Sequence, residues 1–225
     1  DRLKDNMWGY NRHTDQTVNI YSAFLQNEWK NDRWGILIGG RLDKHNMVDN
    51  VIFSPRANLR FNPTQNINLR LSYSSGFRAP QAFDEDMHIE NVGGTVAMIE
   101  RAKDLKEEKS QSFSVSADMY HRFGAFQTNL LIEGFYTRLT DVFVLGKPYD
   151  RGDGILVKTR SNGPGAKVMG LTLEGKVAYL SILQIQAGLT LQRSRYDEPH
   201  KWHDDAPAEK KIFRTPDTYG YFTAT

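Results

Sequence analysis

Residues 69–81 read LRLSYSSGFRAPQ. Apolar and polar side chains alternate in the first part of this stretch, so that one set faces each side of a strand: Leu69, Leu71 and Tyr73 against Arg70, Ser72 and Ser74. Proline has no backbone N–H and cannot donate to a β-ladder, so Pro80 is expected to end the pairing. The stretch therefore predicts a half-apolar β-strand that runs into a loop at its Pro-bounded end.

The same two-residue period recurs along the whole chain. It predicts nine strands, the seventh interrupted by NGPGA at 162–166: 17–30, 34–43, 54–62, 66–77, 112–122, 125–138, 155–180, 184–196 and 212–225. Helical periodicity is confined to a short charged run at 101–109, which could form a turn or two. The sequence therefore predicts an all-β protein.

Short and long connections alternate between these strands. The short ones lie at 31–33, 63–65, 123–124 and 181–183, and the long ones at 44–53, 78–111, 139–154 and 197–211. In an up-and-down meander this places all tight turns at one end and all long loops at the other. A soluble sandwich or lipocalin-type barrel gives no reason for such sorting, whereas an outer-membrane barrel has short periplasmic turns and long extracellular loops. Aromatic residues near the strand ends, such as Trp29, Trp34, Phe123 and Phe126, suit the membrane interface.

Composition excludes several other classes. The 225 residues carry a formal net charge of +2 and have a mean hydropathy of -0.58, with basic residues scattered rather than clustered. This gives no sign of nucleic-acid binding. The chain has no cysteine, which rules out a disulfide framework or a thiolate metal site. No run approaches the roughly 18 apolar residues of a transmembrane helix.

Several motifs in their order along the chain resemble the barrel of TonB-dependent outer-membrane receptors. The resemblance rests on these stretches: FLQNEWKNDRWGILIGGRLDKHN (24–46), SPRANLRFNPTQNINLRLSYSSGFRAP (54–80), DLKEEKSQSFSVSAD (104–118), GFYTRLTDVFVL (134–145), SNGPGAKVMGLTLEG (161–175) and TPDTYGYFTAT (215–225). The chain departs from the family pattern in Glu107-Glu108, where Pro-Glu is usual, and in LTLE at 171–174, where the family has a compact Gly-x-Glu.

The resemblance implies an antiparallel up-and-down transmembrane β-barrel of 22 strands with a plugged lumen. Residues 1–225 are then expected to be part of the barrel domain, about nine strands of it, with the plug domain absent from this sequence. An odd number of strands cannot close an even barrel, so we expect the sequence to be a piece of a longer chain.

The resemblance also implies active import across the bacterial outer membrane. The expected cargo is an iron-siderophore, haem or cobalamin, and no resident cofactor is expected. Expected partners are the TonB complex, contacted through a missing amino-terminal region, outer-membrane lipid and the cargo itself; a surface lipoprotein is a further candidate, and nucleic acid is not expected. A passive porin or a surface adhesion barrel is the alternative, which a plug domain and a TonB-contacting segment would decide against. An enzyme is not expected, because the sequence has no G-x-S-x-G elbow or other nucleophile–base arrangement.

Candidate cargo contacts lie in the long loops. They are Arg78, Phe83, Met87, His88, Tyr149 and Trp202. His88 lies between FRAP (77–80) and DLKEE (104–108), where haem receptors of this family carry a haem-ligating histidine. The alternative is an ordinary loop histidine, because FRAP-like runs occur across the family whatever the cargo. The acidic residues 84–86 similarly suit either a cation-contacting loop or a solvated one.

Two further sets of polar residues have open roles. His200 and His203, beside Asp204 and Asp205, could bind a divalent metal or belong to a plain polar loop. Charged residues on the polar side of the strands could guide an anionic cargo, hold the plug, or only line a wet lumen; they are Arg41, Asp43, Arg56, Arg60, Arg70, Asp118, Glu133, Glu174 and Lys176.

Overall fold

The computed structural model describes residues 1–81, 90–92, 95–180, 182–201, 207–213 and 215–225, with 10, 90–92 and 95–96 described by their backbone alone. Among these residues no helix is long and apolar enough to cross a membrane. The described part of the chain is mostly β-strand, with a 3-10 turn at Trp8–Tyr10.

The strands have the following bounds: β1 Arg2–Met7, β2 Arg12–Thr17, β3 Ile20–Lys30, β4 Trp34–His45, β5 Ile52–Thr64, β6 Ile67–Arg78, β7 Glu90–Val92, β8 Thr95–Arg101, β9 Glu108–Phe123, β10 Phe126–Thr140, β11 Phe143–Leu145, β12 Tyr149–Asp150, β13 Leu156–Asn162, β14 Ala166–Tyr179, β15 Leu183–His200, β16 Glu209–Lys211 and β17 Thr218–Ala224.

One large antiparallel sheet forms the body of the molecule. In the described residues it has ten strands in the order β16-β15-β14-β10-β9-β6-β5-β4-β3, and β17 pairs with the first part of β15. Each long strand lies beside the next long strand of the chain, which confirms the predicted up-and-down antiparallel architecture. Among these strands the sheet is open, with β3 at one edge and β16 and β17 at the other.

Tight turns join the strands at one end of this sheet. In the turn between β3 and β4, Asn31 accepts hydrogen bonds on its Oδ1 from the backbone N–H groups of Arg33 (3.0 Å) and Trp34 (2.7 Å). This short polar side chain replaces a backbone acceptor, which is why asparagine favours turns. In two other tight turns, Gly124 and Leu180 adopt positive φ angles of 58° and 50°.

The register separates the two faces of the sheet as predicted. Leu69 pairs with Phe61 and Ala117, and Leu71 pairs with Leu59 and Val115, so apolar residues of neighbouring strands share one side, here called the apolar face. The opposite side is the polar face. All nine charged residues predicted to share a side lie on it: Arg41, Asp43, Arg56, Arg60, Arg70, Asp118, Glu133, Glu174 and Lys176.

Aromatic pairs lie near the ends of the apolar face. Trp34 stacks on Phe61 with ring centroids 4.2 Å apart beside one tight turn. Phe126 lies 5.7 Å from Phe123 and 4.9 Å from Tyr179 beside two others. Toward the long loops, Tyr73 lies 4.7 Å from Phe113. Aromatic pairs therefore lie toward both ends of the apolar face, the arrangement expected of membrane-interface girdles.

Three strand predictions need correction, and one hairpin was not predicted. The predicted strand 155–180 is two strands, β13 and β14, that belong to different sheets. The predicted strand 212–225 shortens to β17, and β16 forms within the predicted loop 197–211. The strand predicted at 184–196 continues to His200, because its last part pairs with β16. Residues 1–17, assigned almost no structure from the sequence, form the hairpin β1–β2.

Candidate functional site in the long loops

Two long loops pair with each other to form a second sheet, here called the loop sheet. β7 and β8 come from the loop between β6 and β9, and β11, β12 and β13 come from the loop between β10 and β14. The strand order is β11-β13-β8-β7, with β12 beside β13. The loops meet where β8 runs parallel to β13 from Ala97–Leu156 to Arg101–Arg160. Two loops predicted as separate connections are therefore one structural unit.

An apolar core stabilises this junction. Met98 and Val157 are partners in the parallel pair, and both side chains are fully buried. Ala97 and Ile99 on either side of Met98 are also buried. Parallel strands buried on both faces carry continuous apolar runs rather than alternation, and VAMI at 96–99 fits that pattern.

Hydrogen bonds from the Asn162 side chain link the two loops near the ends of the long strands. Its side-chain amide Nδ2 donates hydrogen bonds to the backbone carbonyls of Lys106 (3.1 Å) and Asp141 (2.8 Å). Its Oδ1 accepts a 2.7 Å hydrogen bond from the backbone N–H of Lys106. The Asn162 side chain thus links the end of β13 to two connections, the one between β8 and β9 and the one between β10 and β11.

Arg78, a predicted cargo contact, lies where β6 enters the loop sheet. It pairs in register with Glu108 at the start of β9, and its guanidinium carbon lies 5.5 Å from the centre of the Phe143 ring. The Glu108 carboxylate accepts a 2.9 Å hydrogen bond from the backbone N–H of Phe143. Arg101 donates a 2.7 Å hydrogen bond to the carbonyl of Pro80. The structure therefore gathers a cation, an aromatic ring and a carboxylate at the root of the loops.

Tyr149, a second predicted contact, lies on β12 at the outer rim, with 48% of its surface exposed. Beside it Arg151 forms ion pairs with Asp153 (2.6 Å) and Glu100 (3.3 Å), so the charges of the rim link the two loops again. The hydrogen bond from Arg151 lowers the pKa of Asp153 and raises the pKa of the Arg151 guanidinium. Both groups therefore stay charged at neutral pH.

The other predicted site residues fall in two groups. His200 ends β15 opposite Glu209, with its ring centroid 5.9 Å from that of Tyr196. Within the part of the chain that the structure describes, no cluster of three or more His, Asp or Glu side chains could hold a metal ion. Phe83, Met87, His88, Trp202 and His203 lie outside the described residues. The His200–His203 metal site and the haem role of His88 therefore stay predictions.

Sequence reasoning missed Phe143, Glu108, Arg151 and Asn162. Glu108 and Asn162 stood within noted motifs, the first in DLKEE and the second in the irregularity at 162–166. Neither motif says which backbone groups a side chain will reach, because the partners of Asn162 lie 21 and 56 residues away.

Polar side chains continue from the loops along the polar face. Asp43 is buried at 2% exposure and accepts hydrogen bonds from Ser22 Oγ (2.5 Å) and Arg41 Nε (2.7 Å). Further along this face, Arg70 donates a 2.7 Å hydrogen bond to Asn68, which itself donates to Asn62 (2.7 Å). A sheet with one polar and one apolar face, with tight turns at one end and a loop sheet at the other, defines a segment of a membrane β-barrel.

Comparison with known proteins gives the family. The model of the TonB-dependent receptor-like β-barrel family matches residues 3–225, and the chain belongs to this family. A comparison with curated proteins gives no match.

Solved structures with the same fold include two receptors and an iron transporter. The siderophore receptor PirA from Pseudomonas aeruginosa is 16% identical, with a TM-score of 0.71 over 84% of this chain and 37% of its own. The FrpB iron transporter from Neisseria meningitidis is 18% identical, with a TM-score of 0.62 over 94% of this chain and 34% of its own. The ferric enterobactin receptor from Pseudomonas aeruginosa is 16% identical, with a TM-score of 0.59 over 93% of this chain and 37% of its own. The chain thus spans little more than a third of each, and at these identities the likeness is one of fold.

Proposed function

We propose that this chain forms part of the wall and the cargo entrance of a receptor that imports a scarce nutrient across the bacterial outer membrane. The observation that carries the proposal is the loop sheet at the end of a wall with one apolar and one polar face. In this arrangement the apolar face contacts lipid and the polar face lines the lumen. The loops capture the cargo at the outer surface.

Family membership favours active import over a porin or an adhesion barrel. Receptors of this family take their energy from the TonB complex, so we propose TonB as a partner of the whole receptor through a region outside residues 1–225. We propose no catalytic activity for this chain.

We propose a ferric siderophore as the cargo, with haem and cobalamin as the alternatives. The solved structures named above are a siderophore receptor, an iron transporter and a ferric enterobactin receptor, which supports an iron complex. Arg78 beside Phe143 offers a cation and an aromatic ring, and Tyr149 adds an exposed ring at the rim. Such groups can contact anionic or aromatic ligands. If haem is the cargo instead, His88→Ala should abolish haem uptake.

Uptake by the whole receptor tests the function. Cells that carry the full-length receptor as their outer-membrane iron route are given radiolabelled ferric siderophores, haem or cobalamin, with and without an intact TonB complex. Saturable uptake of one cargo that is lost without TonB supports the proposal. Uptake that rises in proportion to concentration and persists without TonB would instead establish a passive pore.

A matched pair of variants tests the entrance. Arg78→Gln removes the cation at the root of the loops, and we expect the dissociation constant for the cargo to rise about tenfold, the equivalent of one charge-assisted hydrogen bond of about 1.4 kcal/mol. Arg122→Gln removes an exposed cation beside a tight turn at the opposite end and should leave binding unchanged. Equal affinity in both variants would exclude Arg78 from the cargo site.

A further inference from the structure

A row of four cations crosses four neighbouring strands on the apolar face. Arg138 on β10 pairs in register with Lys167 on β14, Lys167 with Arg195 on β15, and Arg195 with Lys211 on β16. We call these four residues the cation row. Like charges directly opposite one another destabilise a sheet, and an apolar face is the costliest place for them. Their alignment needs a physical reason.

The distance of the cation row from the tight turns supplies this physical reason. Lys167 lies twelve positions along β14 from Tyr179, which is beside a tight turn, and Arg195 lies twelve positions along β15 from Leu183. At about 3.3 Å per residue this is roughly 40 Å along a strand, or about 30 Å along the axis of a barrel with strands tilted by about 40°. The apolar band of an outer-membrane barrel is about 25 Å tall. The row therefore lies just beyond the apolar band, at the level of the outer lipid headgroups.

Carboxylates neutralise part of this charge. Asp197 forms an ion pair with Arg138 (2.6 Å), and Asp217 pairs with Lys211 (3.2 Å) and Arg195 (3.5 Å). Arg193, one step below the row, adds a fifth cation. Lys167 and Arg193 form no ion pair or hydrogen bond with a described residue. Five cations against two carboxylates leave an excess of three positive charges.

A shallow apolar groove runs directly below. It has a volume of about 860 Å³ and is lined by Val115, Leu171 and Leu191, with Arg193, Arg195 and the Asp217 that pairs with Arg195 at its polar end. Its floor lies at Gly134, which pairs with Val115 and Leu171 and has no side chain to fill the space. An added Cβ there would meet Val115 only at 3.7 Å. Apolar sides with a cationic end match a molecule that has an acyl chain and an anionic head.

We propose that the cation row and the groove bind an outer-leaflet lipid whose headgroup carries phosphate esters, with Lys167 and Arg193 on the phosphate and an acyl chain in the groove at Gly134. Arginine and lysine bind phosphate by charge-assisted hydrogen bonds, and an acyl chain gains burial against the leucine side chains. The site rests on the membrane orientation of the proposed function. It lies on the outer surface of the wall and is separate from the cargo entrance.

Native mass spectrometry of the detergent-purified full-length receptor tests the site, with bis-phosphorylated lipid A as the probe and its dephosphorylated form as the comparison. The double variant K167Q/R193Q should weaken lipid A binding at least tenfold. The control R56Q/K176Q removes two cations from the polar face and should leave it unchanged. Equal binding by K167Q/R193Q and the parent, or equal binding of the two lipids by the parent, overturns the proposal.

A second variant tests the groove without changing charge. Gly134→Val places a side chain on the floor of the groove, and valine is well accommodated in strands. It should weaken lipid A binding although Lys167 and Arg193 are both retained. Unchanged binding by Gly134→Val overturns the assignment of the acyl chain. Because lipid binding in detergent does not depend on transport, a parent receptor that binds lipid A but shows no TonB-dependent uptake would overturn the proposed function alone.

Discussion

Glycines on the strands allow aromatic rings to lie flat against the sheet. Gly188 on β15 pairs in register with Tyr221 on β17, and the tyrosine ring covers the space where a side chain would stand. The Tyr221 hydroxyl accepts a 2.7 Å hydrogen bond from the side-chain amide of Gln186. A ring that covers a glycine restores the contact surface that the glycine lacks. This contact attaches the edge strand β17 to its neighbour.

Replacing that glycine should be costly. In Gly188→Ala the new Cβ would overlap the Tyr221 ring, so the ring must move and lose its bond to Gln186. We expect the free energy of unfolding to fall by about 1–3 kcal/mol, as for overpacking elsewhere. Urea unfolding of the detergent-solubilised receptor measures the change.

Gly175→Ala is the matched control on the neighbouring strand. A Cβ at this position would meet no atom within 4 Å, so we expect no loss and a gain of up to about 1 kcal/mol from the stiffer unfolded chain. Equal destabilisation by the two substitutions would show that glycine is needed for backbone reasons, and that the Tyr221 contact has no special role.

The loop sheet is the element to which we assign cargo capture, and Met98 and Val157 form the fully buried part of its core. Met98→Ala removes a fully buried side chain where β8 meets β13. Such deletions cost about 2–5 kcal/mol. We expect amide hydrogen exchange to accelerate in β8 and β13 and cargo affinity to fall, while β9 and β10 keep their protection through their own long ladder.

Met169→Ala gives the comparison. Met169 lies on the apolar face with 38% of its surface exposed, so the same truncation should leave exchange in the loop sheet unaltered. Loss of protection throughout the barrel strands in Met98→Ala would mean that loops and wall unfold together, contrary to this expectation.

The long strands could be predicted from sequence because their signal is local. Alternation between 66 and 74 fixes which side Arg70 faces, and the register bears this out on every neighbouring strand. The loop sheet could not be predicted in this way. β8 and β13 are separated by more than fifty residues, and the buried run at 97–99 has no alternation to mark it as a strand. The interruption at 162–166 marks the place where β13 ends and β14 begins, but it does not show that the two strands lie in different sheets.

At the scale of the whole molecule, the side of the membrane on which the tight turns and the long loops lie can be measured in intact cells. Residues 1–225 contain no cysteine, so in a full-length receptor without other cysteines a single introduced thiol reports its own location. Lys103→Cys places it in an exposed loop turn, and Asp32→Cys in an exposed tight turn at the opposite end. Neither position lies in the groove or beside Arg78.

We expect a membrane-impermeant maleimide to label Lys103→Cys in intact cells expressing the full-length receptor and to leave Asp32→Cys unlabelled. Both thiols should react after the cells are lysed, which controls for reactivity. Labelling of Asp32→Cys alone in intact cells would invert the proposed orientation, and with it the level assigned to the cation row.

The parallel pairing of β8 with β13 has a consequence for how the sequence of the loop sheet can change during evolution. Each interior strand of the large sheet contacts its neighbours on both sides through a ladder, so a substitution there needs only local compensation. In the loop sheet, an insertion of one residue within 95–101 would turn its buried side chains away from Val157 and shift every partner from Leu156 to Arg160. New cargo preferences are therefore expected to arise by paired changes in both loops, or by exchange of the two loops together, rather than by drift in either one.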